Sequence, residues 1–307
     1  MRLLEADFSD SFDTNENDIH DKCGDLIKYY DLSYTNVIGQ QRNDLILKIL
    51  KRIETDTQRI AEPARKDIWQ EGWQENLDAF ITSGNDLSML VPKFIRSEQP
   101  VRFKQKYIMP NAPEFELKFF DVFRHWLFKT YFFGVDNVYE FGCGTGFNLV
   151  TLAKLFPSIK LYGLDFVQSS CDLVTKIAEK YELNLESYLF DMITPDEQFT
   201  LDKNSAVFTI GAIEQLGGQF HAFIGYLMEN KPKIVLHCEP VLELYDLDVL
   251  EDYLAYKFQK KRGYTIGLLP YLMELEKHRC IKIEKIKRLY FGSLLMEGYN
   301  LIVWRPL

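Results

Sequence analysis

The chain has 307 residues, 47% of them apolar, with a formal charge of −9, so it can bury one large core or two smaller ones. Residues 1 to 31 hold nine acids against three bases, and the remainder offers no broad basic face to neutralise phosphates, which argues against nucleic acid as a partner. No run approaches the length of an apolar span, the N-terminus MRLLEADFSDSFD is acidic where a secretory signal would be basic and then apolar, and the five cysteines are scattered without a CxxC pair. A cytoplasmic protein with no membrane span, no disulfide framework and no metal site is expected.

Residues 1–42 read as an acidic, weakly patterned lead-in with a short helix around Asp25 to Tyr30. From Asn43, a plausible cap, Leu45, Ile46, Ile49, Leu50 and Ile53 fall on one helical stripe. A second helix is predicted from near Pro63, carrying Ile68, Trp69, Trp73, Leu77, Phe80 and Ile81 and ending near Ser83-Gly84-Asn85. Two tryptophans one turn apart suit a pocket wall or lid, although core packing is the commoner use. Residues 86–112 read as an irregular connection around a short strand. Arg96, Arg102, Lys104 and Lys106 there fit either recognition of an anionic group or a solvated loop. PEFELKFFDVFRHWLFKTYFF then forms a helix, ended by Gly134, that is apolar nearly all round and so is expected between two layers. His125 on it reads as structural.

Val138 to Leu149, VYEFGCGTGFNL, is a buried strand, a glycine-rich turn and a helix start. Gly142, Gly144 and Gly146 let the backbone turn and approach a ligand, and the free N–H groups of the following helix face the turn. A dinucleotide GxGxxG would place its third glycine at 147, where Phe stands, so the pattern is GxGxG with Glu140 two residues before it. Strands and helices then alternate: strand Ile159 to Leu164 ended by Asp165, a helix through Cys171 and Tyr181, strand Glu186 to Phe190 followed by Asp191-Met192, and a helix start at Thr194-Pro195-Asp196-Glu197. Strand Ser205 to Ile210 leads to GAIEQLGG, then come a helix to Met228 and strand Lys233 to Glu239. Helical pieces follow at Leu242 to Arg262 and Leu268 to Arg279. The last strands, Ile281 to Tyr290 and Tyr299 to Trp304, are joined by too short a loop for a parallel crossover and must pair antiparallel.

Glu140 with Gly142, Gly144 and Gly146, together with this order of elements, resembles the class I S-adenosylmethionine (SAM) dependent methyltransferases over residues 134–307. The resemblance implies an α/β fold: a Rossmann-like, doubly wound sheet of seven strands, five parallel and closed by an antiparallel C-terminal hairpin. An N-terminal helical cap or substrate region (1–133) and a helical insertion after strand five would complete it. It implies SAM as cofactor, with Glu140, Gly142, Cys143, Gly144 and Gly146 at the methionine moiety. Asp165 would lie on the ribose hydroxyls and Phe166 against the adenine, Asp191 on the adenine amine with Met192 beside it, and Gly211 with Ala212 near the methyl-donating end. Gln215 stands where many small-molecule members have histidine. Candidates for removing a proton are Glu214, His237 and Glu239, the last two alternating onto one face of strand five, with Tyr245 and Tyr264 weaker. The expected activity is methyl transfer to an oxygen or nitrogen of a small-molecule or saccharide acceptor, with homodimerisation through the N-terminal helices an open expectation. The alternatives are an RNA methyltransferase gripping phosphates through Lys257, Lys260, Lys261 and Arg262, and a SAM-binding regulator without turnover.

Overall fold

The computed structural model describes residues 1–60 and 65–307. The start near Pro63 expected for the second helix lies outside the described residues. In chain order the elements are α1 (Glu5–Phe12), α2 (Glu16–Tyr29), β1 (Tyr34–Asn36), α3 (Gly39–Thr55), α4 (Arg65–Thr82), β2 (Val101–Phe103), β3 (Lys106–Pro110) and α5 (Phe115–Tyr131). There follow β4 (Asn137–Phe141), α6 (Phe147–Leu155), β5 (Lys160–Asp165), α7 (Gln168–Tyr181), β6 (Leu185–Leu189), β7 (Ser205–Ile210), α8 (His221–Asn230), β8 (Ile234–Glu239), α9 (Leu250–Arg262), α10 (Leu268–Lys277), β9 (Ile281–Lys287), β10 (Phe291–Gly292) and β11 (Asn300–Pro306).

Among the described residues a seven-stranded sheet runs β6-β5-β4-β7-β8-β11-β9. Its first five strands pair parallel, and β11 lies antiparallel to both β8 and β9. Alternation along the strands sends Val138, Leu161, Phe208, Leu236 and Val303 to one apolar layer with α5, and Tyr139, Phe141, Val207, Val235 and Trp304 to the other with α8 and α10. A sheet covered on both faces has strands apolar throughout, which is why these runs were readable. The chain leaves β4 toward β5 on one side and returns to β7 on the other. A crevice therefore opens at the carboxyl ends of β4 and β7, where open α/β sheets bind ligands.

The first 133 residues are less purely helical than the sequence suggests. A second, antiparallel sheet runs β1-β3-β2-β10, so the C-terminal strand β10 is laid against β2, and residues before and after position 133 share one sheet. Nor is the acidic lead-in loosely held. Phe8 and Phe12 of α1 and Ile19, Cys23 and Ile27 of α2 are buried against α5, where the Phe12 and Trp126 rings lie 4.8 Å apart and Trp126 Nε1 donates to Asp18 Oδ2 at 2.8 Å. In α2 the buried Ile19, Cys23 and Ile27 recur every fourth residue, a narrow stripe set among acidic and polar neighbours.

At Thr194 to Glu197 the expected helix is absent. The Asp196 side chain accepts the Gln198 N–H at 2.9 Å and its carbonyl accepts that of Phe199 at 3.1 Å, turning the chain back so that Phe199 packs on the core. Two cations of the basic stretch are tied up. Arg102 is buried on Asp252 (3.1 Å) and the Glu251 carbonyl (2.7 Å), and Lys104 pairs with Asp7 at 3.0 Å. Arg288 adds ion pairs to Asp252 (2.6 Å) and Glu297 (2.7 Å), so a buried network fastens β2, α9 and the segment before β11. Among the described residues no helix is long and apolar enough to cross a membrane.

Candidate active site

Gly142, Gly144 and Gly146 have φ of 75°, 52° and 72°, a backbone region L side chains rarely adopt, and the space around them is filled. A Cβ on Gly142 would stand 2.4 Å from the Ala212 Cβ, and one on Gly144 would stand 3.0 Å from the Trp73 ring. The turn is braced from below: the Leu164 carbonyl accepts the N–H groups of Gly142 (2.7 Å) and Cys143 (3.0 Å), and Asp165 Oδ2 accepts that of Gly144 (3.0 Å). Asp165 Oδ1 accepts from the Val167 N–H at 3.3 Å. Burial nonetheless pushes its carboxyl up to about 6.

Two adjoining cavities of about 370 Å³ each open at this edge, sharing Trp69, Trp73, Gly142, Gly211 and Gln215 in their walls. The first lobe brings together Asp165, Phe166, Asp191 and Met192 with Gly142, Gly211 and Ala212, roofed by the two tryptophans and Lys66. Trp69 and Trp73 stack with centroids 5.3 Å apart, and both line the two lobes, so the pair is a cleft wall. The second lobe is lined by Glu140, Cys143 and Gly144 at its floor, with Asn148, Glu116, Glu214, Tyr264 and Tyr299 around it. Gly146 lines neither lobe and packs against Val174 behind the turn.

Glu140 is held by a buried chain of polar groups. Arg124 Nη2 donates to Asp121 (2.7 Å) and its Nη1 to Asn148 Oδ1 (3.3 Å), while Asn148 Nδ2 donates to Glu140 Oε1 (2.7 Å). Glu140 Oε2 has no hydrogen-bond partner, and burial pushes the carboxyl up to about 8. A buried carboxylate oxygen without a partner costs free energy that a cationic ligand would relieve.

The three candidate proton acceptors are separated by the fold. Glu214 lines the second lobe and takes a 2.7 Å hydrogen bond from Gln215 Nε2. Its carboxyl is raised by burial and then by the neighbouring Glu239. Glu239 accepts the N–H groups of Ala212 (3.1 Å), Ile213 (3.2 Å) and Glu214 (3.2 Å), lines neither lobe and shapes the 211–214 turn. Three N–H donors favour its ionised form, so Glu214 is the one of the two that holds a proton. His237, one full pleat further inside the sheet, is completely buried beside Trp304, with Nδ1 3.0 Å from Thr209 Oγ1, and lines neither lobe. Burial lowers it to about 3, keeping it neutral.

Of the residues weighed for phosphate contact, Lys261 donates to the Ile53 (2.5 Å) and Glu54 (2.6 Å) carbonyls, and Arg262 clasps Asp56 at 2.7 and 3.2 Å. Tyr245 is buried away from the cleft, where it accepts from Gln259 Nε2 at 2.7 Å. Sequence reasoning passed over Glu116 and Tyr299. A carboxylate at helical spacing from Phe119 and Phe120 was the available signal for Glu116.

No family model and no curated protein matches the chain. Among solved structures it is similar to the methyltransferase domain of bacterial CtHen1, with 17% identity over 59% of this chain and 94% of that one and a TM-score of 0.44. It is likewise similar to a SAM dependent methyltransferase from Aquifex aeolicus, with 16% identity over 59% and 88% and a TM-score of 0.42. A third is the O-methyltransferase NcsB1 of neocarzinostatin biosynthesis, in complex with SAM and 2-hydroxy-5-methyl naphthoic acid, with 12% identity over 63% and 58% and a TM-score of 0.43. These three structural neighbours are methyltransferases, and one of them was crystallised with SAM.

Proposed function

We propose that this protein is a SAM-dependent methyltransferase acting on an oxygen or nitrogen of a small-molecule or sugar-containing acceptor. The observation that carries this reading is the convergence of Asp165, Phe166, Asp191 and Met192 in one lobe beside the glycine turn, at the switch point of the sheet. The fit is supported by Glu140, whose orphaned Oε2 suits the ammonium group of a bound donor, and by the Gly142 approach that a Cβ would block.

In this reading the donor supplies a methyl group already activated on a sulfonium. The residues of the chain bind, orient and exclude water. Asp165 and Asp191 hold the nucleoside part and Phe166 packs on it, while Glu140, kept in place by Asn148, holds the ammonium group. Trp69 and Trp73 close the cleft from the α4 side, which gives the second lobe the enclosure that a small acceptor needs. Glu214, after releasing its own proton to solvent, receives the acceptor proton in the second lobe, Glu239 positions the turn that carries Glu214, and His237 contributes to packing. Residues 134–307 form the donor-binding part and residues 1–133 the greater part of the acceptor wall, completed by Tyr264 and Tyr299.

Calorimetric titration with SAM and S-adenosylhomocysteine, on wild type and Asp165→Ala, tests the reading. Micromolar binding weakened at least tenfold by the substitution, about 1.4 kcal/mol, is expected. Failure of the wild-type protein to bind either compound refutes it.

A further inference from the structure

Carboxyl groups from three distant parts of the chain meet in the second lobe: Glu116 on α5, Glu140 at the end of β4, and Glu214 after β7. They are 3%, 1% and 8% exposed. The guanidinium lining that lobe, Arg262, is already closed on Asp56 at 2.7 and 3.2 Å, so among the described residues the lobe carries acid in excess. Glu116 Oε1 accepts from the Tyr299 hydroxyl at 3.2 Å, while its Oε2 has no hydrogen-bond partner. Burial raises the Glu116 carboxyl to about 7, against the opposing hydrogen bonds from Tyr299 and Gln99.

A bound donor brings one ammonium group, which Glu140 meets under the proposed function. That leaves Glu116 and Glu214 for the acceptor. A neutral hydroxyl would satisfy a lone oxygen without cancelling the charge, whereas a protonated amine does both and gains a charge-assisted bond. The rest of the wall suits the same guest, because aromatic side chains, Trp73 and Phe120 among them, line the lobe, and aromatic rings attract organic cations.

We propose that the second lobe takes an acceptor carrying a protonated amine, and that Glu116 selects it by an ion pair through its unpartnered oxygen. This rests on the donor reading for Glu140, so the two are tested in sequence. The full chain is first titrated calorimetrically with S-adenosylhomocysteine. The saturated complex is then titrated at neutral pH with matched pairs that differ in one group: glucosamine and glucose, and phenethylamine and 2-phenylethanol. In at least one pair the amine is expected to bind at least tenfold more tightly than the alcohol. Glu116→Gln, which preserves shape, is expected to remove most of that preference while leaving affinity for S-adenosylhomocysteine within about twofold. The proposal is overturned by equal binding within both pairs, by failure of both amines to bind, or by a preference that survives Glu116→Gln. If the variant does not fold, the wild-type comparison decides alone. Absence of S-adenosylhomocysteine binding in the first titration refutes the donor reading before any amine is added.

Discussion

Replacing Glu140 by Gln should make the unliganded protein more stable while weakening its grip on SAM. The carboxyl is 1% exposed, its Oε2 lacks a partner, and burial moves it from 4.5 to about 8. The folded state therefore favours the protonated form, and stability is lost as pH rises from 4.5 through about 8, because the unfolded chain ionises first. Each pH unit in that window costs up to about 1.4 kcal/mol, giving an upper bound near 3 kcal/mol at pH 7 and about 1.4 kcal/mol at pH 5.5. Allowing for relaxation and water entry, Glu140→Gln should exceed wild type by about 1 to 3 kcal/mol at pH 8 and by well under 1 kcal/mol at pH 5.5, or a few degrees of melting temperature at the higher pH. The amide keeps an oxygen for Asn148 Nδ2, so that 2.7 Å bond survives. Thermal unfolding at the two pH values, with and without saturating SAM, measures both effects. In the presence of SAM the order should reverse, because the wild-type carboxylate meets the ligand's ammonium while the variant loses at least tenfold in affinity. A gap that does not widen with pH, or a variant that binds SAM as tightly as wild type, would refute the assignment of Glu140 as an uncompensated, cation-seeking carboxyl.

Gly142→Ala would force a side chain into positive φ and against Ala212. It should cost about 2 kcal/mol or more of stability and abolish detectable SAM binding by calorimetry. Arg288→Ala leaves Asp252 and Glu297 buried with one cation fewer, and should destabilise the fold by about 3 to 5 kcal/mol in denaturant titration, far more than a surface arginine would. His237→Gln should leave the methyl-transfer rate within about threefold of wild type, since the imidazole lies off the cleft; a hundredfold loss would instead mark it as the proton acceptor. Replacing Trp69 and Trp73 together by Phe should reduce the change in tryptophan fluorescence on SAM addition by more than half, because Trp126 and Trp304 are buried in the core away from both lobes.

Much of the sheet domain could be read from residues alone. The glycine turn is a local device: its backbone conformation, its acid two residues upstream and its helix start are written within twelve consecutive residues. The parallel strands, covered on both faces, appear as unbroken apolar runs, and the last two strands of the main sheet pair antiparallel as expected, although the link between them is longer than the sequence suggests and carries β10 into the second sheet. Asp165 and Asp191 follow from the same logic, because each ends or follows a strand whose place was already known.

What only tertiary structure decided depends on contacts between distant segments. Arg102 looks like a loop cation until Asp252, 150 residues later, buries it. His237 and Glu239 alternate onto one face as the strand period requires. The period does not say where the strand meets solvent, and His237 falls inside the sheet against Trp304. The role of Trp69 and Trp73 hinged on which layer α4 lies against, and it lies over the glycine turn. The second lobe is assembled from residues between Gln58 and Tyr299, with Glu116 supplied by a helix whose pattern signals only burial. A periodic pattern reports which side of an element is covered; which charged groups meet beneath that cover is set by how the elements pack.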